Sequence, residues 1–171
     1  MTEITKQNLQ EKVAEWSKLN FGRQISKFNG NIMGFNNPLL GIIEECGELN
    51  EADTQELTID AISDIVIYSC DFCSRLGIEL PEASPTHENE QLLTIVGDLC
   101  HAVLKTHQGI RGFEDQAFAL RTINNSVARL LRYLETLCVD LEIDSPMELA
   151  AVTFQKVVSK RDWKANPESG V

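Results

Sequence analysis

The sequence of 171 residues predicts an all-α fold, with helical patterns and almost no strand signal. Apolar residues recur at the three- and four-residue spacing of amphipathic helices. Two helix starts are sharply marked: Asn37 precedes Pro38 as an N-cap, and Ser145, Pro146 and Glu148 form a capping-box pattern. The hydrophobic content of 43% is enough to bury a core, so we expect a single domain that spans the whole chain.

Turn signals separate six predicted helices. The segment "FGRQISKFNGNIMGFNN" is rich in Gly and Asn, "GIELPEASPTHENE" contains two prolines, and "HQGIRG" supplies two glycines. The proline-containing segment is the best internal boundary, and we expect the tail "KANPESG" to fray. The predicted helices cover residues about 5–19, 38–52, 57–76, 91–106, 114–141 and 146–163.

The charge balance excludes several classes of protein. A net charge of −11 and a pI near 4.7 argue against a nucleic-acid surface and against binding to an anionic membrane. No run approaches the roughly 20 apolar residues of a membrane span. The N-terminus "MTEITKQNLQEKV" lacks the apolar core of a signal peptide, so we expect a cytoplasmic protein.

The cysteines fit a reduced, buried role. Their number is odd, and all lie at apolar positions of helical patterns: Cys46, Cys70, Cys73, Cys100 and Cys138. Cys70 and Cys73 spell CxxC, which in a redox or zinc site lies at a turn or beside a second pair. Neither context is present, so we predict core packing.

The stretch from Leu39 to Cys73 carries nine Asp or Glu residues and no Lys or Arg. On a helical wheel the acids of each helix share one face, opposite the apolar residues. A solvated face is the simple interpretation. However, like charges at i,i+4 cost about 0.2–0.5 kcal/mol per pair, and neither helix supplies a Lys. A divalent cation between the helices would relieve the repulsion, and clustered carboxylates with water suit Mg²⁺.

The acidic stretch also resembles a known family. "EECGEL" followed by "DAISDIVIY" is similar to the motifs Glu-Glu-x-x-Glu and Glu-x-x-Asp of the MazG-like, all-α nucleoside triphosphate pyrophosphohydrolases. Further similar pieces are "EWSKLNFG", "PLLGIIEE", "HAVLKTHQGIRG" and "SKRDWKANP", so the resemblance touches most of the chain.

The resemblance implies a helical bundle that holds Mg²⁺, with Mn²⁺ as an alternative ion. Water then attacks a nucleoside triphosphate to give the monophosphate and pyrophosphate, a reaction that clears the nucleotide pool of unwanted members. By position, Glu45, Glu48 and Asp64 match metal ligands, and Glu44 matches the leading acid.

One position departs from the family motif. The Glu expected three residues before Asp64 is Ala61. Asp60 stands next to it, at i,i+4 from Asp64, and we expect it to replace the missing metal ligand. The departure leaves open a second hypothesis, a catalytically decayed relative that binds a nucleotide or a partner protein.

The two halves of the chain look like a duplication of a helical hairpin, with repeat 1 at about 38–80 and repeat 2 at about 91–144. A shift of 53 positions in the first helix and 65 in the second brings similar residues together, including Leu39 with Leu92, Ile42 with Ile95, Glu45 with Asp98, Tyr68 with Tyr133 and Cys73 with Cys138. The alternative is that any two amphipathic hairpins align this well.

The metal positions have decayed in repeat 2, where the shifts place Gly97, His101, Asn125 and Arg129 opposite Glu44, Glu48, Asp60 and Asp64. A duplication would make the chain a pseudo-dimer with one metal site, in which repeat 2 replaces a partner subunit and Arg129 faces the substrate. Whether two chains also pair as a homodimer stays open.

Positive charge collects near the C-terminus, at Lys156, Lys160, Arg161 and Lys164. Cations at a helix C-terminus contribute about 0.3–1 kcal/mol, which is one explanation. Binding of the triphosphate substrate is the other, and the family's basic tail favours it. The aromatic residues Trp16, Phe21 and Trp163 are candidates for stacking on a base, although core packing is more common.

A third hypothesis is a carboxylate-bridged di-iron bundle. Asp98-x-x-His101 has the required spacing, but such a site needs a second Glu-x-x-His, and no other His in the chain follows an acid in this way.

Overall fold

A computed structural model describes residues 3–21, 33–84 and 90–160. All regular structure in these ranges is helical, which confirms the all-α prediction. The described helices are α1 (Leu9–Phe21), α2 (Met33–Glu51), α3 (Gln55–Leu76), α4 (Leu92–Gln108), α5 (Gln116–Asp140) and α6 (Pro146–Lys160). Within the same ranges, none of the helices has the length and the apolar character that crossing a membrane requires.

The chain divides into two compact units. One consists of Met1–Glu79 and Asp144–Val171 and contains α1, α2, α3 and α6. The other is Leu80–Ile143 and contains α4 and α5. The single domain expected from the sequence stays a prediction.

Helix α2 begins five residues earlier than predicted, at Met33 instead of Pro38. The prediction took Pro38 as the first helical residue because proline lacks the N–H of an interior helical residue. The fixed φ of proline is nevertheless close to the helical value, so the helix continues through Pro38 with one backbone hydrogen bond fewer.

Helix α1 begins at Leu9, four residues later than predicted. A polar turn precedes it, in which the Thr5 backbone N–H donates to the Asn8 side chain at 2.8 Å and the Asn8 N–H donates to the Thr5 carbonyl at 3.1 Å. These local hydrogen bonds compete with helix formation, which explains the later start.

The start of α6 forms one of the two hydrogen bonds of the predicted capping box, and the Glu148 carboxylate binds the Ser145 hydroxyl instead of the Ser145 backbone N–H. The Glu148 backbone N–H donates to Ser145 Oγ at 3.4 Å, and Ser145 Oγ donates to the Glu148 carboxylate at 3.0 Å. Pro146 is the first helical residue, as its pattern indicates. The end of α6 was predicted at residue 163, and residues 161–163 lie outside the described residues.

In the first unit α3 packs against α1, α2 and α6. Ile62, Phe72 and Phe154 are fully buried in this core. Helices α2 and α3 approach closely at Gly41, where an added Cβ would lie 2.6 Å from ring atoms of Tyr68. A side chain at position 41 would therefore displace the Tyr68 ring or separate the two helices of this hairpin.

In the second unit α4 packs against α5. Its core includes Ile95, Leu99, Val127, Leu130 and Leu134, which are at most 1% exposed. The ring of Phe113, in the connection between the two helices, packs edge-on against Phe118 with centroids 5.1 Å apart.

Hairpin 1 (α2–α3) and hairpin 2 (α4–α5) end in the same backbone motif. In hairpin 1 the Ile78 N–H donates to the Cys73 carbonyl at 3.1 Å, around Gly77 with φ +73°. In hairpin 2 the Ile143 N–H donates to the Cys138 carbonyl at 3.0 Å, around Glu142 with φ +54°. Both are Schellman motifs, and they lie 65 positions apart.

The closed end of a hairpin is the end at which its two helices are connected. At this end each helix of hairpin 2 is about one turn longer than the corresponding helix of hairpin 1. At the sequence shifts given above, α4 is four residues longer at its end and α5 four residues longer at its start. The connection has seven residues in hairpin 2, against three in hairpin 1. These extensions account for the 12 positions by which the two shifts differ.

Candidate metal centre

Glu45 is the buried carboxylate of the acidic stretch. It lies on α2 between the apolar residues Ile42 and Cys46, which face the core, and the exposed acids Glu44 and Glu48. Because of this intermediate position, Glu45 is only 9% exposed. A charged residue buried this deeply normally has a partner of opposite charge.

The electrostatics of Glu45 show which carboxylates surround it. Its pKa is raised to about 8, chiefly by burial and next by the nearby charge of Asp64 on α3. Glu48, Glu44 and Asp60 act in the same direction. The structure therefore brings the other four acids predicted from the sequence, two on α2 and two on α3, within electrostatic reach of Glu45.

The neighbouring residues Asp60 and Ala61 of α3 differ in burial. Ala61 is buried, with an exposed fraction of 2%, so the position of the missing motif Glu faces the core. Asp60 is exposed, Asp64 is half-buried, and both raise the pKa of Glu45. The replacement of the missing ligand by Asp60 stays a prediction.

The residue types in this cluster fit Mg²⁺ or Mn²⁺, because carboxylate oxygens are the ligands that hard divalent cations prefer. Their placement fits less closely. Within the described ranges, no group of three or more His, Cys, Asp or Glu side chains is arranged so that it could hold a metal ion. Carboxylates of like charge repel one another, so binding an ion requires side-chain rotamers to change.

Asp71 does not belong to this cluster, although the helical wheel placed it on the same face. Its carboxylate accepts a hydrogen bond from Arg75 Nε at 2.8 Å, and Arg75 Nη2 also donates to Ser17 Oγ at 3.0 Å. The two charged residues are 8% and 5% exposed. The sequence interpretation looked for a compensating Lys and missed the Arg four residues after Asp71.

The predicted cationic residues lie elsewhere in the structure. Lys156 and Lys160 are exposed on α6, which packs on α1 and α3; among the described residues α6 makes no contacts with α2. Arg161 lies outside the described residues. The substrate-binding role of these three residues stays a prediction.

Arg129, also predicted to face the substrate, already binds two carboxylates of its own unit. Its Nε and Nη2 donate to Glu90 at 2.7 and 2.6 Å, and its Nη1 donates to Asp98 at 2.8 Å. Sequence reasoning missed Glu90, because this residue is 39 positions away in a segment without periodic pattern. The ion pairs with Glu90 and Asp98 give Arg129 a structural role that the sequence did not indicate.

Trp16 packs against the core as well as lining a cavity. Its ring meets Phe154 edge-on, with centroids 5.8 Å apart, and it borders a cavity of about 340 Å³ between α1 and α6. The side chains of Phe21 and Trp163 are outside the described part of the chain. Base stacking by any of the three stays a prediction.

The cysteines behave as core residues. Four are buried, and the fifth, Cys100, is half-buried. Burial raises the pKa of both thiols of the CxxC pair, that of Cys73 to about 12. Thiols with such pKa values stay protonated and unreactive near neutral pH. Their burial confirms the prediction of core packing.

Comparisons with protein-family models, with curated proteins and with solved structures each found no match to this chain.

Proposed function

We propose that this protein is a Mg²⁺-dependent nucleotide pyrophosphohydrolase that converts ribo- or deoxynucleoside triphosphates to monophosphates and pyrophosphate. The observation that carries the proposal is the burial of Glu45 on α2 beside Asp64 on α3, with Glu44, Glu48 and Asp60 around them. Five carboxylates at one helix pair are unfavourable without a cation, and a cation is what an acidic protein needs to bind a triphosphate.

The roles of the residues follow from their positions. Glu45, Glu48 and Asp64 would hold Mg²⁺, which when bound screens the phosphate oxygens. Asp60 would complete this set, in place of the Glu that the family motif has at position 61. Glu44 is exposed next to the cluster, where it can orient a water molecule and accept its proton.

The proposal includes the MazG-like bundle type and a pseudo-dimer formed by duplication of the hairpin. Three observations support the duplication: the matching Schellman motifs, the matching buried positions Ile42 and Ile95, and the extensions around the connection of hairpin 2, which account for the 12 positions by which the two shifts differ. We also propose that the protein is cytoplasmic, because the buried, protonated thiols of Cys70 and Cys73 suit a reducing compartment.

Product identity tests the proposed reaction. The full-length protein is incubated with a panel of ribo- and deoxynucleoside triphosphates in Mg²⁺ or in EDTA, and the products are separated by ion-exchange chromatography. We expect monophosphate and pyrophosphate in Mg²⁺ and no turnover in EDTA. Release of diphosphate and orthophosphate would contradict the proposed bond cleavage. Nucleotide binding without turnover would instead support the decayed relative suggested by Ala61.

A further inference from the structure

Hairpin 2 presents an ion pair at the positions where hairpin 1 presents two acids. At the sequence shifts that align the hairpins, Asp98 corresponds to Glu45, and Arg129 corresponds to Asp64. Arg129 Nη1 donates to Asp98 Oδ2 at 2.8 Å. Hairpin 2 therefore has a cross-helix ion pair at the positions where, in hairpin 1, the charge of Asp64 acts on Glu45.

A second acid completes the surroundings of the guanidinium. Glu90, just before α4, accepts two hydrogen bonds from Arg129 in the bidentate geometry that fixes an Arg–carboxylate pair. The side chain of Arg129 is 10% exposed, and that of Glu90 is 24% exposed. Partial burial makes this network stronger than an exposed ion pair.

We propose that Arg129 is a built-in replacement for a divalent cation: it binds the carboxylates of hairpin 2 as the ion binds those of hairpin 1. Of the two hairpins, only hairpin 1 then has a cation site, because the Arg129 guanidinium already neutralises the carboxylates of hairpin 2. The inference rests on the proposed function only for the ion in hairpin 1. The charge inversion between Asp64 and Arg129 can be tested without any ion.

The first test transfers the Arg to hairpin 1. Asp64→Arg and Asp64→Asn both remove the acid, but only Asp64→Arg adds a guanidinium that can pair with Glu45. We expect Asp64→Arg to melt about 2–4 °C above Asp64→Asn in EDTA. An equal or lower melting temperature for Asp64→Arg would overturn the inference.

The second test removes the Arg from hairpin 2. Arg129→Gln and Arg129→Asp should both lower the melting temperature in EDTA, by about 4 °C or more, because Glu90 and Asp98 lose their counter-charge. Only Arg129→Asp creates a third carboxylate. Electron paramagnetic resonance should therefore show one more bound Mn²⁺ per chain for Arg129→Asp than for Arg129→Gln, and equal numbers in folded proteins would overturn the inference.

The outcomes separate this inference from the proposed function. Suppose that wild-type protein binds no Mn²⁺ but Asp64→Arg melts above Asp64→Asn. The proposal of a metal site in hairpin 1 is then wrong, whereas the proposal that an Arg at this position neutralises the facing carboxylate is supported. If Arg129→Asp does not fold, the comparison of the two variants at position 64 decides.

Discussion

Glu45 is the residue at which the sequence and the structure add different information. The helical wheel puts it at the edge of the acidic face, and the motif makes it a metal ligand. Its burial depends on how closely α3 approaches α2, which the contact of Gly41 with Tyr68 permits. A distance between helices is a tertiary property, so the spacing of residues in one helix cannot predict it.

The raised pKa of Glu45 predicts a pH dependence of stability. Because its folded-state pKa of about 8 lies above the ordinary 4.5, the native chain holds a proton that the unfolded chain has released in this interval. The stabilising contribution is fully present below pH 4.5 and is lost as the pH rises through about 8. Melting temperatures in EDTA between about pH 5 and pH 9 measure the effect.

Glu45→Gln provides the control for this prediction, because the amide resembles the protonated acid at every pH. We expect wild type and Glu45→Gln to melt at similar temperatures at low pH, and wild type to fall below the variant as the pH rises. A temperature difference that does not change with pH would show that Glu45 does not titrate in this interval.

Substitution of Glu48 tests its proposed role as a ligand of the catalytic metal ion. Glu48→Gln keeps the size of the side chain but removes one proposed metal ligand, so turnover should fall at least about a hundredfold. Glu48 is exposed, so the fold should persist in circular dichroism. The matched control is Glu51→Gln on the same helix, whose carboxylate is not among those that act on Glu45. Similar activities for the two variants would remove Glu48 from the site.

Sequence signals within a few residues predict where a helix begins or ends better than they predict which distant residues its side chains contact. The hydrogen bond from the Glu148 N–H to Ser145 at the start of α6 lies within four residues and was predicted correctly. The start of α2 was wrong because the preference of proline for a first turn is only statistical. The bond from Arg129 to Glu90 spans 39 residues and links α5 to a segment with no helical pattern, so no local pattern indicates it.

The approach of α2 to α3 predicts different effects for two glycines of one helix. A Cβ at Gly41 would lie 2.6 Å from the Tyr68 ring, whereas a Cβ at Gly47 would have no neighbour within 4 Å. We expect Gly41→Ala to lower the free energy of unfolding by about 1–3 kcal/mol through overpacking. Gly47→Ala should raise it by about 0.5–1 kcal/mol through helix propensity. Urea denaturation of both variants measures this, and equal effects would mean that α2 and α3 are not in close contact at Gly41.

At the scale of the whole molecule, the net charge of −11 opposes binding of a triphosphate. The exposed Lys156 and Lys160 on α6 are the described residues that we propose to offset it. Replacing both by Ala should raise KM about threefold to thirtyfold and leave kcat nearly unchanged, since an exposed ion contact contributes up to about 1 kcal/mol. Lys6→Ala is the control, because Lys6 is paired with Glu148. An unchanged KM in the double variant would show that both lysines only cap the helix.

Binding of a divalent cation by the carboxylates of hairpin 1 should be visible in the melting temperature of wild-type protein as Mg²⁺ is added at about pH 8.5. Binding to the native state alone stabilises it by mass action. We expect a rise of about 3–10 °C at concentrations well above the dissociation constant. The rise should disappear in Glu48→Gln and persist in Glu51→Gln. No rise in wild type, or an equal rise in all three proteins, would contradict the account.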